Sequence, residues 1–560
     1  MVVSRGRILF LRLRETRFAL AQFNVLRFLM AIGIQRPPKS DSSILESVFE
    51  HVRCAAPPGM QTELAIDTDL SDAGLDSLAR MDVINRIEQQ FKIRFKEESL
   101  YDLETVQDLV ELIEGQLYPE AVVVDSVMSA LDSTLTPASL TVSVNSRDGI
   151  VTKSSQASQV SLLPEIVHFE KRVSTILSAG LQLPFFRVNE EVRGANATIA
   201  GRNVVSFTSF DYLGLARSEQ VATAAKDAID RFGTSASASR MVGGNNTLLE
   251  ELDHELAQLL GVEAACVFPS GYGTNASLFG HLFNEEDLIL YDDLAHNSIV
   301  QGAKLSHAKR RAFPHNDAKF LDELLFDIRG NYRRVVIAIE GVYSMDGDYP
   351  DLPHFLEVKK RHDALLFVDE AHSIGVMGPT GRGICEHFGV SAEEGDLWMG
   401  TISKALGSTG GYIAGRRSLI EYLKYTTPSM VFSTAASPAS AAAALTAIRV
   451  LRREPERVTL VRDKAKLLLK LAEDAGLNTG NSNLTPIVPV ILGNSQFCLW
   501  ISQELLQHGI NAQPILFPAV PENASRLRLF VTAAHTDEEI CRTVQCVSDL
   551  VQEGRKHFGA

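Results

Sequence analysis

At residues 365–372 the chain reads LLFVDEAH, an apolar run that ends in the carboxylate of Asp369. Buried strands of parallel sheets are typically continuous apolar runs, and open α/β sheets bind ligands at the carboxyl ends of such strands. At residues 401–407 the chain reads TISKALG, which places Lys404 among small and hydroxyl residues. The two stretches together predict an α/β fold with a ligand site at one edge of its sheet.

Asp369 and Lys404 are the two residue types that pyridoxal phosphate (PLP) requires. A lysine amine forms the Schiff base with the cofactor aldehyde, and a buried aspartate keeps the pyridine nitrogen protonated so that the ring accepts electrons. A lysine taken alone is usually a solvated surface residue, because lysine is rarely buried. The apolar run that delivers Asp369, some thirty-five positions before Lys404, favours PLP chemistry instead.

At residues 265–275 the chain reads ACVFPSGYGTN, an apolar run followed by a turn of small residues. A turn that opens a helix can hold a phosphate with its backbone amides and with the helix dipole. Glycine turns are mostly only turns. Because the chain also has Asp369 and Lys404, this glycine turn predicts the phosphate site of the cofactor.

From about Glu165 to the C-terminus the chain resembles the α-oxoamine synthase family of fold-type I PLP enzymes. Its members include 8-amino-7-oxononanoate synthase, 5-aminolevulinate synthase, glycine C-acetyltransferase and serine palmitoyltransferase. The resemblance covers about seven-tenths of the chain and rests on motifs in family order: DYLGL (211–215), SGY (270–272), DLAHNS (293–298), EGVYSMDGD (340–348), DEAH (369–372), Lys404, FST (432–434) and RLR (526–528).

This resemblance implies roles around the cofactor ring. His296 stacks on one face of the pyridine ring, and Ala371 closes the other face. Asp369 pairs with the ring nitrogen, and His372 and Ser344 lie near the phenolic oxygen. Together with Lys404, three of these residues, His296, Asp369 and His372, are the predicted catalytic set.

The resemblance also implies a phosphate site and a homodimer. Thr401 and the backbone of Gly271 and Tyr272 hold the phosphate within one subunit. Thr434 reaches the phosphate of the neighbouring subunit, so the two subunits share their sites.

The stretch RLRLFV at residues 526–531 has the apolar content of a strand, and alternation puts Arg526 and Arg528 on one face of it. A guanidinium there would bind the carboxylate of an amino acid through two parallel hydrogen bonds. We predict Arg528 as this anchor and keep Arg526 as the alternative. Phe210 stands where aminolevulinate and aminooxononanoate synthases generally have Asn, and Leu249 where many relatives have His, so the identity of the amino acid stays open. The resemblance favours a small one, serine, alanine or glycine.

Residues 41–120 form a separate, acidic segment with 18 Asp or Glu and 6 Lys or Arg. Such a charge repels nucleic acid and attracts basic protein surfaces. Apolar residues recur at helical spacing in three stretches, which predicts a small all-α bundle: 44, 45, 48, 49 and 52; 83, 84, 87 and 91; and 109, 110, 113 and 117.

The stretch DAGLDSL at residues 72–78 resembles the attachment site of acyl carrier proteins. The resemblance implies that Ser77 carries 4′-phosphopantetheine, whose thiol holds an acyl group as a thioester. Asp76 would cap the following helix and leave the Ser77 hydroxyl accessible. A phosphopantetheinyl transferase and an acyl-loading enzyme are then the expected partners.

The remaining segments bound the domain organisation. Residues 1–40 hold seven Arg and one Lys against one Glu, which is typical of an organelle leader or of a start assigned too far upstream. Residues 121–160, rich in Ser, Thr and Val, are expected to be a flexible linker, and 161–560 the PLP-dependent domain with a large and a small lobe. The six cysteines show no paired metal spacing, so we expect no metal site, and we expect a cytoplasmic protein without a transmembrane segment.

These features predict a carrier-fused acyltransferase that condenses an amino acid with an acyl thioester, with loss of carbon dioxide, to give an α-amino ketone. Two enzymatic alternatives stay open: a synthase of the 8-amino-7-oxononanoate or serine palmitoyltransferase type with standard acyl donors, and a PLP-dependent aminotransferase, which the motif at 340–348 disfavours. A carrier and docking module with an inactive PLP lobe is the alternative from another class.

Overall fold

The structure, a computed structural model, describes residues 42–56, 64–66, 68, 70, 73, 75, 77–93, 95, 103, 105–117, 160, 163–517 and 519–558. The predicted leader (1–40) lies outside the described residues, as does the predicted linker (121–160) apart from Val160. The N-terminal helices are α1 (Ser42–Ala55), α2 (Ser77–Phe91) and α3 (Val106–Leu117).

The three N-terminal helices follow the predicted apolar periodicity. The first of the predicted faces contributes Ile44, Val48 and Val52 to the buried residues, and the other two contribute Val83, Ile84, Ile87, Leu109, Val110 and Ile113. His51 Nε2 of α1 lies 2.5 Å from Gln90 Oε1 of α2. Ser77 is the first residue of α2, whereas Asp76, the predicted cap, lies outside the described residues. The prediction of a helical carrier segment is confirmed.

The strands of the α/β part are listed in chain order: β1 (Asn189–Arg193), β2 (Asn196–Ile199), β3 (Arg202–Ser206), β4 (Ala264–Phe268), β5 (Asp287–Asp292), β6 (Lys309–Phe313), β7 (Arg334–Glu340), β8 (Leu365–Asp369), β9 (Leu397–Thr401), β10 (Gly411–Gly415), β11 (Ile487–Ile491), β12 (Ile510–Asn511), β13 (Gln513–Ile515) and β14 (Arg526–Phe530).

The helices of this part are α4 (Pro164–Ser178), α5 (Glu219–Phe232), α6 (Thr247–Leu260), α7 (Gly271–Leu282), α8 (Asn297–Leu305), α9 (Ala318–Ile328), α10 (Leu352–Arg361), α11 (Ile384–Phe388), α12 (Arg417–Thr426), α13 (Pro428–Val431), α14 (Pro438–Arg453), α15 (Glu456–Asp474), α16 (Ser495–Gln507) and α17 (Asp537–Phe558). Short 3₁₀ turns and one π-helical turn, Arg240–Gly244, complete the described elements.

Seven strands form one sheet in the order β4-β10-β9-β8-β7-β5-β6. β10 runs antiparallel to both neighbours, and the other pairs are parallel. Alternate residues of β7 enter two different apolar cores: Ile337 and Ile339 pack in one, and Val336 and Ala338 in the other. Cores on both faces explain why the central strands are continuous apolar runs.

Two smaller sheets follow the large one. The order β11-β14-β13 is antiparallel, and β1-β2-β3-β12 joins the parallel strand β12 to an antiparallel meander. Helices α15, α16 and α17 share a core with these strands, including Leu468, Phe497, Leu527 and Val547. The large and small lobes of a fold-type I enzyme are therefore both present, as predicted. Among the described helices, none has the length and apolar content needed to cross a bilayer.

Candidate active site

The carboxyl ends of neighbouring strands deliver the predicted residues to one edge of the sheet. Glu340 ends β7 and pairs in register with Asp369, which ends β8 and pairs in turn with Met399 of β9. β9 leads two residues further to Ser403 and Lys404, and all five residues line one cavity of about 340 Å³. Because parallel strands end at the same edge, this convergence follows from the topology.

Asp369 is held by two donors and is only 4% exposed. Its Oδ1 accepts from the Ala371 backbone N–H at 2.9 Å, and its Oδ2 accepts from Asn275 Nδ2 at 2.8 Å. The two bonds fix the orientation of the carboxylate. Ala371 also lines the cavity.

His296 belongs to the same hydrogen-bond network. Asn275 Nδ2 also donates to Ser298 Oγ at 2.9 Å, and that hydroxyl lies 2.6 Å from His296 Nδ1. The Ser298 backbone N–H points to the same Nδ1 at 3.2 Å, so Nδ1 accepts and the proton of the neutral ring sits on Nε2. Burial lowers the pKa of His296. The ring is therefore neutral, as stacking on a cationic pyridinium requires.

Glu340 anchors the His296 backbone. Its Oε1 accepts from the His296 N–H at 2.6 Å. Burial, and after it the carboxylate of Asp369, raise the pKa of Glu340 well above its ordinary value. A protonated Glu340 leaves Asp369 as the carboxylate available to a cationic ring nitrogen.

Lys404 is half-buried in the cavity lining. Burial lowers the pKa of its amine, while Asp369 and Glu340 act in the opposite direction. Its Nζ lies 6.0 Å from the centre of the Phe210 ring. A lysine with a lowered pKa is the form that reacts with an aldehyde and moves protons near neutrality.

His372 is buried and lies 2.8 Å, through Nδ1, from the Tyr212 hydroxyl. Burial raises the pKa of Tyr212, so the phenol keeps its proton and donates to Nδ1. Burial also lowers the pKa of His372 well below its ordinary value. The neutral ring therefore carries its proton on Nε2, a donor for a phenolic oxygen.

The turn after β4 has the geometry of a phosphate cradle. Ser270 caps α7 by accepting from the Gly273 N–H at 3.2 Å, which leaves the amides of Gly271 and Tyr272 at the start of the helix. A Cβ at Gly271 would lie 3.0 Å from Thr401 Oγ1, so any other residue would force the Thr401 side chain to shift. Thr401 lines the same cavity, and its contact with the phosphate stays a prediction.

The two candidate arginines of β14 differ in their partners. Arg526 is 5% exposed and donates to Asp346 Oδ1 at 2.6 Å. Arg528 donates to the Ser344 carbonyl at 2.9 Å, and within the described part of the chain it has no carboxylate partner. Burial lowers the pKa of Arg528 to about 10. Arg528 is therefore the guanidinium that an incoming carboxylate would satisfy.

Three predicted residues of the α/β part lie outside the cavity lining: Ser344, Arg528 and Thr434. Ser344 contacts Arg528 through its carbonyl and, at 3.3 Å, through Oγ. Thr434 is exposed, beside Phe432, which is 86% exposed. Their predicted contacts with the cofactor or the amino acid stay predictions.

Sequence reasoning did not single out Asn275 and Ser298, which link Asp369 to His296. The available signal was spacing: Asn275 lies one helical turn after Gly271, and Ser298 lies two residues after His296. Tyr212 stood inside a quoted motif without a role. Only the fold shows that its hydroxyl meets His372.

The residues present fit PLP. A lysine, a buried aspartate and a neutral stacking histidine share the cavity with a helix N-terminus suited to a phosphate. Asn275 Oδ1, in the lining, is a buried acceptor without a donor among the described residues. Lys404, Asp369 and His296 would hold the ring, and the Ser270–Tyr272 turn with Thr401 would hold the phosphate.

Comparisons with known proteins agree with this site. The aminotransferase class I and II family profile matches residues 202–547, and the phosphopantetheine attachment site profile matches residues 59–113. The 8-amino-7-oxononanoate synthase of Thermosipho melanesiensis is 40% identical over 372 residues, covering 66% of this chain and 94% of that protein. The 8-amino-7-oxononanoate synthase of Symbiobacterium thermophilum is 38% identical, covering 68% and 97%.

Solved structures show the same fold. Serine palmitoyltransferase from Sphingomonas wittichii superposes with a TM-score of 0.67 at 29% identity, covering 70% of this chain and 98% of that one. An 8-amino-7-oxononanoate synthase from Francisella tularensis gives a TM-score of 0.55 at 25% identity, covering 63% and 98%.

Proposed function

We propose that this chain catalyses the PLP-dependent condensation of an amino acid with an acyl thioester. The chain belongs to the class I and II aminotransferase family and, within it, to the α-oxoamine synthases. The acyl group is carried on the fused carrier segment. The products are an α-amino ketone, carbon dioxide and the free carrier thiol. One observation carries the proposal: Lys404 and Asp369 line one cavity in a chain that also matches a phosphopantetheine attachment site.

The cofactor, when bound, supplies a protonated ring that accepts the electron pair released at the amino acid's α-carbon. Asp369 would hold the positive charge of the bound ring, and His296 would pack against the ring as a neutral imidazole. His372 would donate from Nε2 to the cofactor, because the Tyr212 hydroxyl occupies its Nδ1. Lys404 accepts and returns protons, which its lowered pKa permits.

Arg528 binds the amino-acid carboxylate in this proposal. Its Cζ lies 4.7 Å from the centre of the Phe530 ring, and that ring stacks on His372 at 6.5 Å. The guanidinium is therefore next to the cavity wall that His372 forms. Phe210 packs edge-on against His372 and Phe530, at 5.8 and 4.7 Å. The preference for a small amino acid, serine, alanine or glycine, rests on the resemblance to the family.

Ser77 is the proposed attachment point for 4′-phosphopantetheine. Ser77 begins α2, and the phosphopantetheine attachment site profile covers it. We assign residues 41–120 to the carrier domain and 161–560 to the synthase domain. A covalently tethered donor reaches an effective concentration in the millimolar range, on the order of that for short flexible linkers.

We further propose a homodimer in the cytoplasm. Large apolar side chains are exposed around Thr434: Phe432 is 86% and Tyr425 64% exposed, and Val242 of the π-helical turn is 84% exposed. The Ala435 N–H donates to the Ala238 carbonyl, so the residue after Thr434 lies next to the segment that leads into the π-helical turn. Exposed apolar patches of this kind mark protein interfaces. Thr434 would then face the partner's phosphate site.

The alternatives differ in the donor. The curated relatives named above are 8-amino-7-oxononanoate synthases, so a standard synthase with an unattached acyl donor remains the second candidate. An inactive PLP lobe is disfavoured, because Lys404 and Asp369 both lie in the cavity.

Incubation with a phosphopantetheinyl transferase and coenzyme A, followed by intact-protein mass measurement, tests the carrier. Wild type and Ser71→Ala should gain one arm, and Ser77→Ala none; Ser71 lies six residues upstream in the same acidic segment. The acyl-loaded protein is then mixed with each common amino acid in turn. The substrate both shifts the PLP absorbance and discharges the thioester. If Ser77→Ala turns over free acyl-coenzyme A as fast as wild type turns over its loaded carrier, the carrier-bound donor is refuted.

A further inference from the structure

A histidine bridges two buried carboxylates beneath the site. Asp292, the last residue of β5, is fully buried, and Asp348 is 8% exposed. His315 Nδ1 lies 2.8 Å from Asp292 Oδ1, and His315 Nε2 lies 2.8 Å from Asp348 Oδ2. None of the three residues lines the cavity.

This geometry fixes the charge of His315. A ring nitrogen at hydrogen-bond distance from a carboxylate oxygen donates a proton, and here both nitrogens do, so the ring is an imidazolium. Burial lowers the pKa of His315, but the bonds to Asp292 and Asp348 outweigh it and raise the pKa to about 11. Asp293 also lies close enough to His315 and Asp292 for a shared metal ion, but an imidazolium has no lone pair to bind one.

Each carboxylate belongs to a loop that carries a predicted site residue. Asp292 Oδ1 accepts from the Leu294 N–H at 3.0 Å, and the Asp292 carbonyl accepts from the Ala295 N–H at 2.8 Å. These two bonds stabilise the turn that precedes His296. On the other side, the Asp348 carbonyl accepts from the Tyr343 N–H at 2.9 Å. That contact closes the loop 343–348.

The loop 343–348 supports both arginines of β14. The Ser344 carbonyl accepts from Arg528, and Asp346 accepts from Arg526. The separation between His296 and Arg528 therefore depends on how the two loops are joined.

Asn316 also connects the turn after Asp292 to the loop 343–348. Its backbone N–H donates to Asp292 Oδ2 at 2.8 Å, and its Nδ2 lies 3.0 Å from Asp348 Oδ2. Its φ of +56° is left-handed, a conformation that Asn tolerates better than most residues. The Tyr343 ring meets the His315 ring edge-on at 4.5 Å and covers it. Two consecutive residues thus connect both loops.

We propose that His315 is a positioning residue for the reaction proposed above: as a cation between Asp292 and Asp348, it sets the distance between the stacking imidazole of His296 and the carboxylate-binding guanidinium of Arg528. Removing the cation leaves two buried carboxylates without a shared counter-charge, and the loops move apart. The inference rests on the proposed function only through the roles of these two residues.

The test compares His315→Gln with a matched control, His362→Gln. His362 is a half-buried histidine directly after α10, outside the cavity lining, and its Nε2 lies 2.7 Å from Asp322 Oδ1. For each full-length variant three quantities are measured: the Kd for PLP, the Kd for the amino acid from the absorbance of the PLP-loaded protein without acyl donor, and the thermal unfolding midpoint.

His315→Gln should raise the amino-acid Kd by about tenfold or more, in line with the loss of one well-placed charged contact. His362→Gln should leave that Kd within about twofold, whatever it does to the midpoint. An amino-acid Kd for His315→Gln equal to that of wild type, with only a lower midpoint, would overturn the proposal.

A double variant keeps the test decisive if His315→Gln folds poorly. Adding Asp348→Asn removes one of the two uncompensated carboxylates, so the double variant should bind the amino acid more tightly than His315→Gln alone. If His315→Gln is insoluble, Asp348→Asn in the wild-type background replaces it as the test. This variant keeps His315 but removes one of its two carboxylate partners, so it should raise the amino-acid Kd. An unchanged Kd would overturn the proposal. If no amino acid perturbs the wild-type absorbance, the proposed function fails instead of this inference.

Discussion

Arg528→Met should bind the amino acid far more weakly and yet fold more stably than the wild type. Burial takes the pKa of Arg528 from 12.5 to about 10, so holding the charge in the folded protein costs about 3 kcal/mol. Methionine fills a similar volume and packs on Phe530 without a charge. The bond to the Ser344 carbonyl is lost, which costs about 1 kcal/mol. The net expectation is a gain of about 2 kcal/mol in the free energy of unfolding.

The expected loss of amino-acid affinity in Arg528→Met is larger than its expected gain in stability. Removing one partner of a buried charged pair costs about 2–5 kcal/mol, which corresponds to a thirtyfold or greater rise in the amino-acid Kd. Denaturant unfolding of the unliganded protein gives the first quantity, and absorbance titration of the PLP-loaded protein gives the second. The acyl donor should be affected little, because the proposed ligand of the guanidinium is the amino-acid carboxylate and not the thioester.

Arg526→Met is the matched control. Arg526 lies two residues away on the same strand but is paired with Asp346, so its removal leaves a buried carboxylate alone and should destabilise the fold by about 3–5 kcal/mol. If Arg528→Met is less stable than wild type, or if its amino-acid Kd rises less than about threefold, the assignment of Arg528 as the free guanidinium is wrong and Arg526 becomes the candidate.

Lys404→Ala should lose the visible absorbance of lysine-bound cofactor and all turnover, although PLP still binds through its phosphate; borohydride reduction that still fixes the cofactor to the chain would contradict this. Asp369→Asn should bind PLP but lose turnover by about a hundredfold or more, because an amide cannot hold the ring nitrogen protonated; a rate within about threefold of wild type would be incompatible with the role. His535 is 2% exposed, and burial lowers its pKa to about 4, so the folded state binds its proton later than the unfolded state as the pH falls. The contribution of neutral His535 to the free energy of unfolding is therefore complete above about pH 6.5 and is lost as the pH falls toward 4. Between pH 7 and pH 5 the free energy of unfolding should fall by about 2 kcal/mol. His535→Gln should flatten that part of the stability profile, and an unchanged slope would assign the acid sensitivity to other groups.

The sequence by itself determined the elements that depend on local patterns. The apolar run ending at Asp369 predicted a buried strand with its carboxylate at the ligand edge, and the strand β8 ends at that residue. The turn 269–274 predicted a helix start, and α7 begins at Gly271. Helical spacing of apolar residues predicted the carrier helices. These predictions succeed because burial on one or both faces of an element imposes its period directly on the chain.

Tertiary structure alone decided which groups are paired. Alternation places Arg526 and Arg528 on one face, but only the loop 343–348 supplies the Asp346 carboxylate to Arg526 and gives Arg528 a carbonyl oxygen instead. The proton positions on His296 and His372 likewise depend on donors from other elements, the Ser298 hydroxyl and the Tyr212 hydroxyl.

The His315 bridge shows the physical reason most clearly. Asp292, His315 and Asp348 are separated by 23 and 33 positions and carry no shared motif. They meet because β5, β6 and β7 are neighbours in the sheet, and their following loops emerge at the same edge. The spacing of apolar residues along the chain shows which face of a helix or strand is buried. The partner that satisfies a buried charge is chosen only when the elements pack together.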